Sequence, residues 1–252
     1  QIGAFVGPLM LSLVLFIKGG SNDLSAYELS FLLLGIPALI TLGILLFARS
    51  KYPNPSEFEV KESPRDAKNI QAAFWFYLAG ISLLAIGFAD FPLMSYHFAK
   101  TKLVSDSMVP ILYAIAMGID ALAALVFGRM YDKRGMTAIM ISSAISAFFA
   151  PFVFLANSEA IAIVGILLWG IGMGAQESIL KAAVTTMISK EKRGTAFGIF
   201  NCGFGLAWFA GSWAMGALYD TSIIALVIFS IVAQLASLPF FFRTKTLLAS
   251  RP

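Results

Sequence analysis

Two residues that most enzymes and metal sites depend on are nearly missing from this chain. Among its 252 residues there is one cysteine, Cys202, and one histidine, His97. A lone cysteine excludes an internal disulfide and any multi-cysteine metal site. No His-Glu-x-x-His pair occurs, and no Gly-x-x-x-x-Gly-Lys-Ser/Thr phosphate loop, so neither zinc hydrolysis nor nucleotide-driven work is indicated. The sequence calls for no cofactor and no metal. Charge is scarce as well: Asp, Glu, Lys and Arg make up 13% of the chain, about half the share of an ordinary soluble domain. So thin a charged shell cannot cover a water-soluble globule of this length.

What fills the chain instead is apolar. Hydrophobic residues reach 59% and the mean hydropathy is +0.83. The apolar residues fall into eight runs near the roughly 20 residues that cross a bilayer as a helix: Gln1–Phe16, Leu29–Ala48, Ala72–Met94, Met108–Phe127, Thr137–Leu155, Ala160–Ile188, Thr195–Leu218 and Ile223–Phe242. They are continuous and do not alternate with period two, which selects helices over barrel strands. The sixth run exceeds what a bilayer requires, so its last turns are expected to emerge from it.

The net charge of +4 is not spread as on a nucleic-acid-binding face. Arg49, Lys51, Lys61, Arg65, Lys68, Arg129, Lys133, Arg134, Lys190, Lys192, Arg193, Arg243, Lys245 and Arg251 occupy alternate loops and the tail, while Lys18, Lys100 and Lys102 stand on the opposite side. Fourteen against three is a positive-inside bias. It predicts a multi-pass protein of the cytoplasmic (plasma) membrane with a cytoplasmic C-terminus, in contact with lipid and not with nucleic acid.

One connection is unlike the others. From Arg49 to Asn69 the chain is polar, with Pro53, Pro55 and Pro64 among mixed charges. Such a linker divides the chain into two helices (1–48), the linker (49–71), a six-helix bundle (72–243) and a short tail (244–252). Six helices make a complete bundle and two a remnant. At an offset of 204 residues Phe5, Val6 and Gly7 fall on Phe209, Ala210 and Gly211. That is the spacing of a duplicated six-helix unit.

The most specific motif is Gly128-Arg129-Met130-Tyr131-Asp132-Lys133-Arg134-Gly135. Gly128 lets a helix end pack closely, Gly135 permits a tight reversal, and Asp132 places an anion where a helix N-terminus can receive it. Gly-x-x-x-Asp-Lys-x-Gly resembles the signature loop of the major facilitator superfamily, in the place of its second copy. Gly3-x-x-x-Gly7-Pro8 is similar to part of the glycine-proline motif on helix five of facilitator antiporters, although Leu9 and Met10 replace the following glycine pair. The stretch from Arg193 through Asn201 and Gly211 to Asp220 also looks facilitator-like. The resemblance implies an all-α integral membrane fold: a six-helix C-terminal bundle plus the last two helices of the N-terminal bundle, helices five to twelve of twelve. It further implies secondary transport of a small solute by alternating access, by a monomer, and a contact between Asp132 and the start of helix five around Gln1 to Gly3.

Charged and polar groups inside the apolar runs are the candidate site, because ionisable residues in a bilayer are costly and usually functional. Asp120 has only apolar neighbours, so it must face a cavity, pair across helices or hold a proton, and a proton carrier is the favoured reading. Glu177 and Lys181, at i and i+4 beside Gln176, form either a self-neutralising pair or a charged cavity wall. Asn201 either lines the cavity or bonds to another helix. Asp90 reads as a wet helix end, His97 as a solvated loop residue and Cys202 as a small packed hydrophobe. Trp75, Trp169, Trp208 and Trp213 read first as packing or interface anchors. Gly170, Gly172, Gly174, Gly203, Gly205 and Gly211 offer small faces for close helix packing. A membrane-embedded enzyme, or a sensor or scaffold on the same fold, stands as the alternative to a transporter.

Overall fold

A backbone in hydrocarbon has no water to bond, so each apolar run must close its own hydrogen bonds and becomes helical. In the computed structural model the described residues are 2–17, 24–53, 67–105, 107–188 and 192–250, and no strand occurs among them. In chain order the helices are α1 (Ile2–Ile17), α2 (Leu24–Lys51), α3 (Ala67–Gly87), α4 (Phe91–Thr101), α5 (Val109–Arg134), α6 (Met136–Ser146), α7 (Phe149–Phe154), α8 (Glu159–Ala175), α9 (Lys181–Met187), α10 (Arg193–Thr221) and α11 (Ile223–Ala249). A single π-helical turn, Gln176–Leu180, joins α8 to α9.

These elements fall on the eight expected runs, three of which are interrupted. The third run is α3 and α4 with a joint between them, the fifth is α6 and α7, and the sixth is α8, the π turn and α9. Six spans are long and apolar enough to cross a membrane: Glu28–Lys51, Ala72–Thr101, Val109–Arg134, Met136–Phe154, Glu159–Met187 and Ile223–Ala249. The described part of α1 is shorter. Helix α10, with 29 residues, falls outside that set. Gly194, Gly198, Gly203, Gly205, Gly211 and Gly216 dilute its hydropathy.

Packing follows the small residues. Helix α3 runs along α11 and α10, and α8 runs along α5, α6 and α7. A Cβ at Gly170 would stand 2.6 Å from the Ala116 carbonyl oxygen, and one at Gly211 2.3 Å from that of Ile86. Gly205 has open space instead. Two large apolar cores result, besides a small one of Val14 and Leu15 between α1 and α2. The first, at the end bearing Arg129, Lys133 and Arg134, gathers Tyr77, Ile81, Ile139, Ile179, Leu180, Met187, Phe200 and Phe241. The second, toward the far end, gathers Phe88, Met94, Phe98, Leu112, Phe149, Phe154, Ile166, Trp169 and Met215. Between them lies a buried polar layer of Asp120, Ser142, Ser143, Ser146, Gln176, Ser230, Gln234 and Ser237.

Helix α1 packs against α5, with Phe5 at 3.4 Å from the Cβ position of Gly118, and α2 packs on α1. Along α2 the apolar side chains Phe31, Leu32, Leu39, Ile44 and Phe47 are exposed. Most of the proline-bearing linker, 54–66, lies outside the described residues, as do Gln1, Lys18, Lys190 and Arg251.

Candidate functional site

Helix α5 places Asp120 within the polar layer, fully buried. Neither carboxylate oxygen has a hydrogen-bond partner among the described residues. Helix α8 comes close over it because Gly174 has no side chain: a Cβ there would lie 2.2 Å from the Asp120 carbonyl oxygen and 2.7 Å from Oδ1. An unpartnered carboxylate in such a place is not a structural cross-link.

Two residues beyond Gly174 the helix widens into the π turn. One extra residue per turn shifts the following side chains round the axis, a feature common at functional sites. Its backbone is propped from two sides: the Tyr77 hydroxyl donates to the Leu180 carbonyl at 2.7 Å, and the Ser178 hydroxyl to that of Gly174 at 2.7 Å. A cavity of about 310 Å³ opens beside it, lined by Met173, Gln176, Glu177, Leu180 and Lys181 from this span and by Phe200, Asn201, Phe204 and Trp208 from α10. Gln176 is 7% exposed, and neither of its amide atoms has a partner among the described residues. Glu177 lies within electrostatic reach of Asp120 behind the wall. The opposite wall is aromatic, since Phe200, Phe204 and Trp208 repeat at i, i+4, i+8. Phe200 and Phe204 stack 5.9 Å apart, and Phe204 meets Trp208 at 5.4 Å.

The structure thus brings Gln176, Glu177, Lys181 and Asn201 onto one cavity, with Asp120 buried one layer behind. The other expected site residues lie elsewhere. Asp132, Lys133 and Arg134 are exposed at the end of α5. Gly135 adopts φ +54°, the left-handed backbone that its reversal requires, and its N–H bonds the Tyr131 carbonyl at 2.7 Å. A Cβ at Gly128 would meet nothing within 4 Å, so the expected close approach there is not made within the described residues. Gly3 likewise faces open space, while Gly7 sits 3.7 Å from Leu34 and Pro8 lies inside α1. The contact expected between Asp132 and the start of α1 is not formed by its described residues. Phe5 rests on Gly118, and Asp132 lies fourteen residues further along α5, about 21 Å away. Gln1 is outside the described residues.

Three minor readings are corrected. His97 is not in a solvated loop: α4 carries it inward to 3% exposure, where Nδ1 meets the Tyr219 hydroxyl at 2.9 Å. Cys202 is exposed, not packed. Asp90 is more than a wet helix end, because its carboxylate accepts hydrogen bonds from Trp208 Nε1 and Ser212 Oγ. Of the tryptophans, Trp169 is buried and donates to the Ala89 carbonyl at 2.9 Å, while Trp75 and Trp213 are exposed. The π turn and its Tyr77 prop carry no sequence signal that single-chain patterning registers.

The described helices thus combine broken spans, a buried polar layer and a side cavity. The chain belongs to the Major Facilitator Superfamily, whose family model matches residues 1–212 and, in a second alignment, 91–250. It is a multi-pass membrane protein of a family whose members move small solutes. It is 33% identical over 248 residues to an uncharacterized protein of Mycobacterium bovis and to uncharacterized proteins of two Mycobacterium tuberculosis strains, CDC 1551 and H37Rv. The match covers 96% of this chain and 59% of each relative, so the chain spans about three-fifths of their length. No solved structure matches it.

Proposed function

We propose that this chain forms the larger part of a secondary active transporter, a monomer that carries a small solute across the plasma membrane by alternating access and is not an enzyme. The observation that carries this reading is the cavity on the π turn. It joins four polar side chains, Gln176, Glu177, Lys181 and Asn201, to an aromatic wall, with an unpartnered carboxylate behind it. The cavity supplies one half of a site at the interface of two bundles. Asp120 carries the coupled proton, charging and discharging as the cavity opens to either side. The Gly128–Gly135 loop, through Asp132 and Lys133, steadies the gate at the cytoplasmic end, with the C-terminus on that side.

The test is uptake of labelled solutes into vesicles holding the full-length protein under an imposed proton gradient. Asp120→Asn mimics the protonated carboxyl, so exchange of solute across the membrane persists while gradient-driven accumulation is lost. Accumulation by the Asn variant with unchanged pH dependence would make Asp120 structural and move the coupling role to Glu177. A full-length protein that moves no solute in a broad screen would remove the transport reading itself.

A further inference from the structure

The joint in the third span holds one acidic side chain that the site above does not use. Asp90 has extended backbone, φ −73° and ψ 148°, between α3 and α4, and its side chain does not cap α4. It turns instead toward α10. One carboxylate oxygen accepts the indole N–H of Trp208 and the other the hydroxyl of Ser212, donors one helical turn apart. Gly211 lets α10 come that close, seated on the Ile86 carbonyl just before the joint. An indole has a single donor, and this one is given to a carboxylate, a stronger acceptor than a neutral oxygen. The same indole lines the cavity and packs at 5.4 Å on Phe204 and 5.8 Å on Phe88.

The joint does not need Asp90 to hold its backbone. Trp169 satisfies the Ala89 carbonyl, and Ser230 and Gln234 satisfy that of Gly87 at 2.7 and 3.1 Å. Those bonds end in buried core, whereas one of the two bonds made by Asp90 ends on a cavity residue, Trp208.

We propose that Asp90 is a positioning residue for the cavity: it fixes the plane of Trp208 in the aromatic wall and ties that wall to the joint of the broken span. The proposal rests on the cavity being the solute site. Its physical content is that a displacement of the joint is felt at Trp208, and a solute that stacks on Trp208 is felt at the joint.

The test uses the full-length protein and acrylamide quenching of Trp208, isolated as the difference between each protein and its Trp208→Phe counterpart. Asp90→Ala shifts the balance between docked and free indole by about tenfold, the worth of one lost charge-assisted bond. Quenching of Trp208 rises accordingly. Asp90→Asn keeps one acceptor oxygen and restores most of the protection, and Ser212→Ala has a smaller effect of the same sign. These two variants keep the proposal testable if Asp90→Ala does not fold. Ser230→Ala, which weakens the joint without touching Trp208, leaves the quenching as in the parent. A second probe is the rate at which a small charged methanethiosulfonate modifies Asn201→Cys in a Cys202→Ala background. It changes with Asp90→Ala and not with Ser230→Ala. Trp208 quenching unaffected by any Asp90 variant, or affected equally by Ser230→Ala, overturns the proposal. If vesicles take up no solute while Asp90→Ala still frees Trp208, the tie between joint and wall stands and the solute-site reading is what fails.

Discussion

Of the three interrupted runs, the third and the sixth are finished differently. At Gly87–Asp90 the carbonyls of Gly87 and Ala89 and the carboxylate of Asp90 receive donors from α8, α10 and α11. At Gln176–Leu180 only the backbone is propped, by Tyr77 and Ser178, while the Gln176 amide and the nearby Asp120 carboxylate have no hydrogen-bond partner among the described residues. A break in a membrane helix must be satisfied by neighbouring protein or by whatever fills a cavity. The first break is closed by the protein itself and acts as framework. The second faces a cavity and leaves the Gln176 amide without a hydrogen-bond partner among the described residues.

Both breaks sit where helices touch through bare backbone, and the largest effects are expected there. A methyl group at Gly211 would stand 2.3 Å from the Ile86 carbonyl oxygen, and one at Gly174 2.2 Å from that of Asp120. Backbone cannot give way as a side chain end can, so Gly211→Ala and Gly174→Ala each cost about 3 kcal/mol. Gly205→Ala meets open space and gains about 0.5 kcal/mol from helix propensity. Thermal unfolding of the purified full-length variants reads the difference. Equal midpoints for Gly174→Ala and Gly205→Ala would show that α8 does not lie on α5 as described.

The framework character of the first break is tested at Gln234. Its amide nitrogen donates to the Gly87 carbonyl and the Ser230 hydroxyl, and its oxygen accepts from Ser146 at 3.1 Å. Gln234→Leu strands part of a buried network and costs about 2 kcal/mol, with the preference among transported solutes unchanged. A variant with altered solute preference and parental stability would move Gln234 into the site and dissolve the contrast.

The sequence displays whatever depends on composition over a long window: eight helical runs, their order, the loop at Gly128–Gly135 and the polar residues that share the cavity. Gln176, Glu177, Lys181 and Asn201 were visible because polar groups in apolar runs are rare. What stayed hidden depends on a few backbone atoms. Gln176-Glu177-Ser178-Ile179-Leu180 reads as ordinary α-helix, and only the Tyr77 hydroxyl, 103 positions earlier, marks the wide turn. Asp90 reads in the sequence as a wet helix end because it stands near the end of the third apolar run, close to an interface. The chain in fact resumes for eleven residues beyond it and carries His97 into the core. The register of α1 on α5 was likewise out of reach, since it is fixed by Phe5 finding Gly118 and not by the loop motif.

His97 gives a smaller measure of how firmly α4, the second half of the broken span, is docked. It shares a hydrogen bond with Tyr219 and ring contacts with Phe154 at 5.3 Å. His97→Phe keeps the packing and loses the bond, so a loss of about 1 kcal/mol is expected, seen as a lower unfolding midpoint. An unchanged midpoint would mean that α4 is held by packing alone.

The smallest change in stability should accompany a large loss of function, at Gln176. Its amide is buried without a partner in the described structure, and such a group costs roughly 1–3 kcal/mol relative to a satisfied one. Leucine is of similar size and carries no polar atom, so Gln176→Leu leaves the unfolding midpoint unchanged or raises it by an amount worth about 0.5 kcal/mol. If the amide is kept for an occupant of the cavity, uptake by the full-length protein falls sharply while Asp120-dependent proton coupling of the residual flux is retained. At the first break the order is reversed, because there Gln234→Leu lowers stability and spares solute preference. Should Gln176→Leu destabilise as much as Gln234→Leu, its amide has partners in the folded protein, and the π turn is framework of the same kind as the joint.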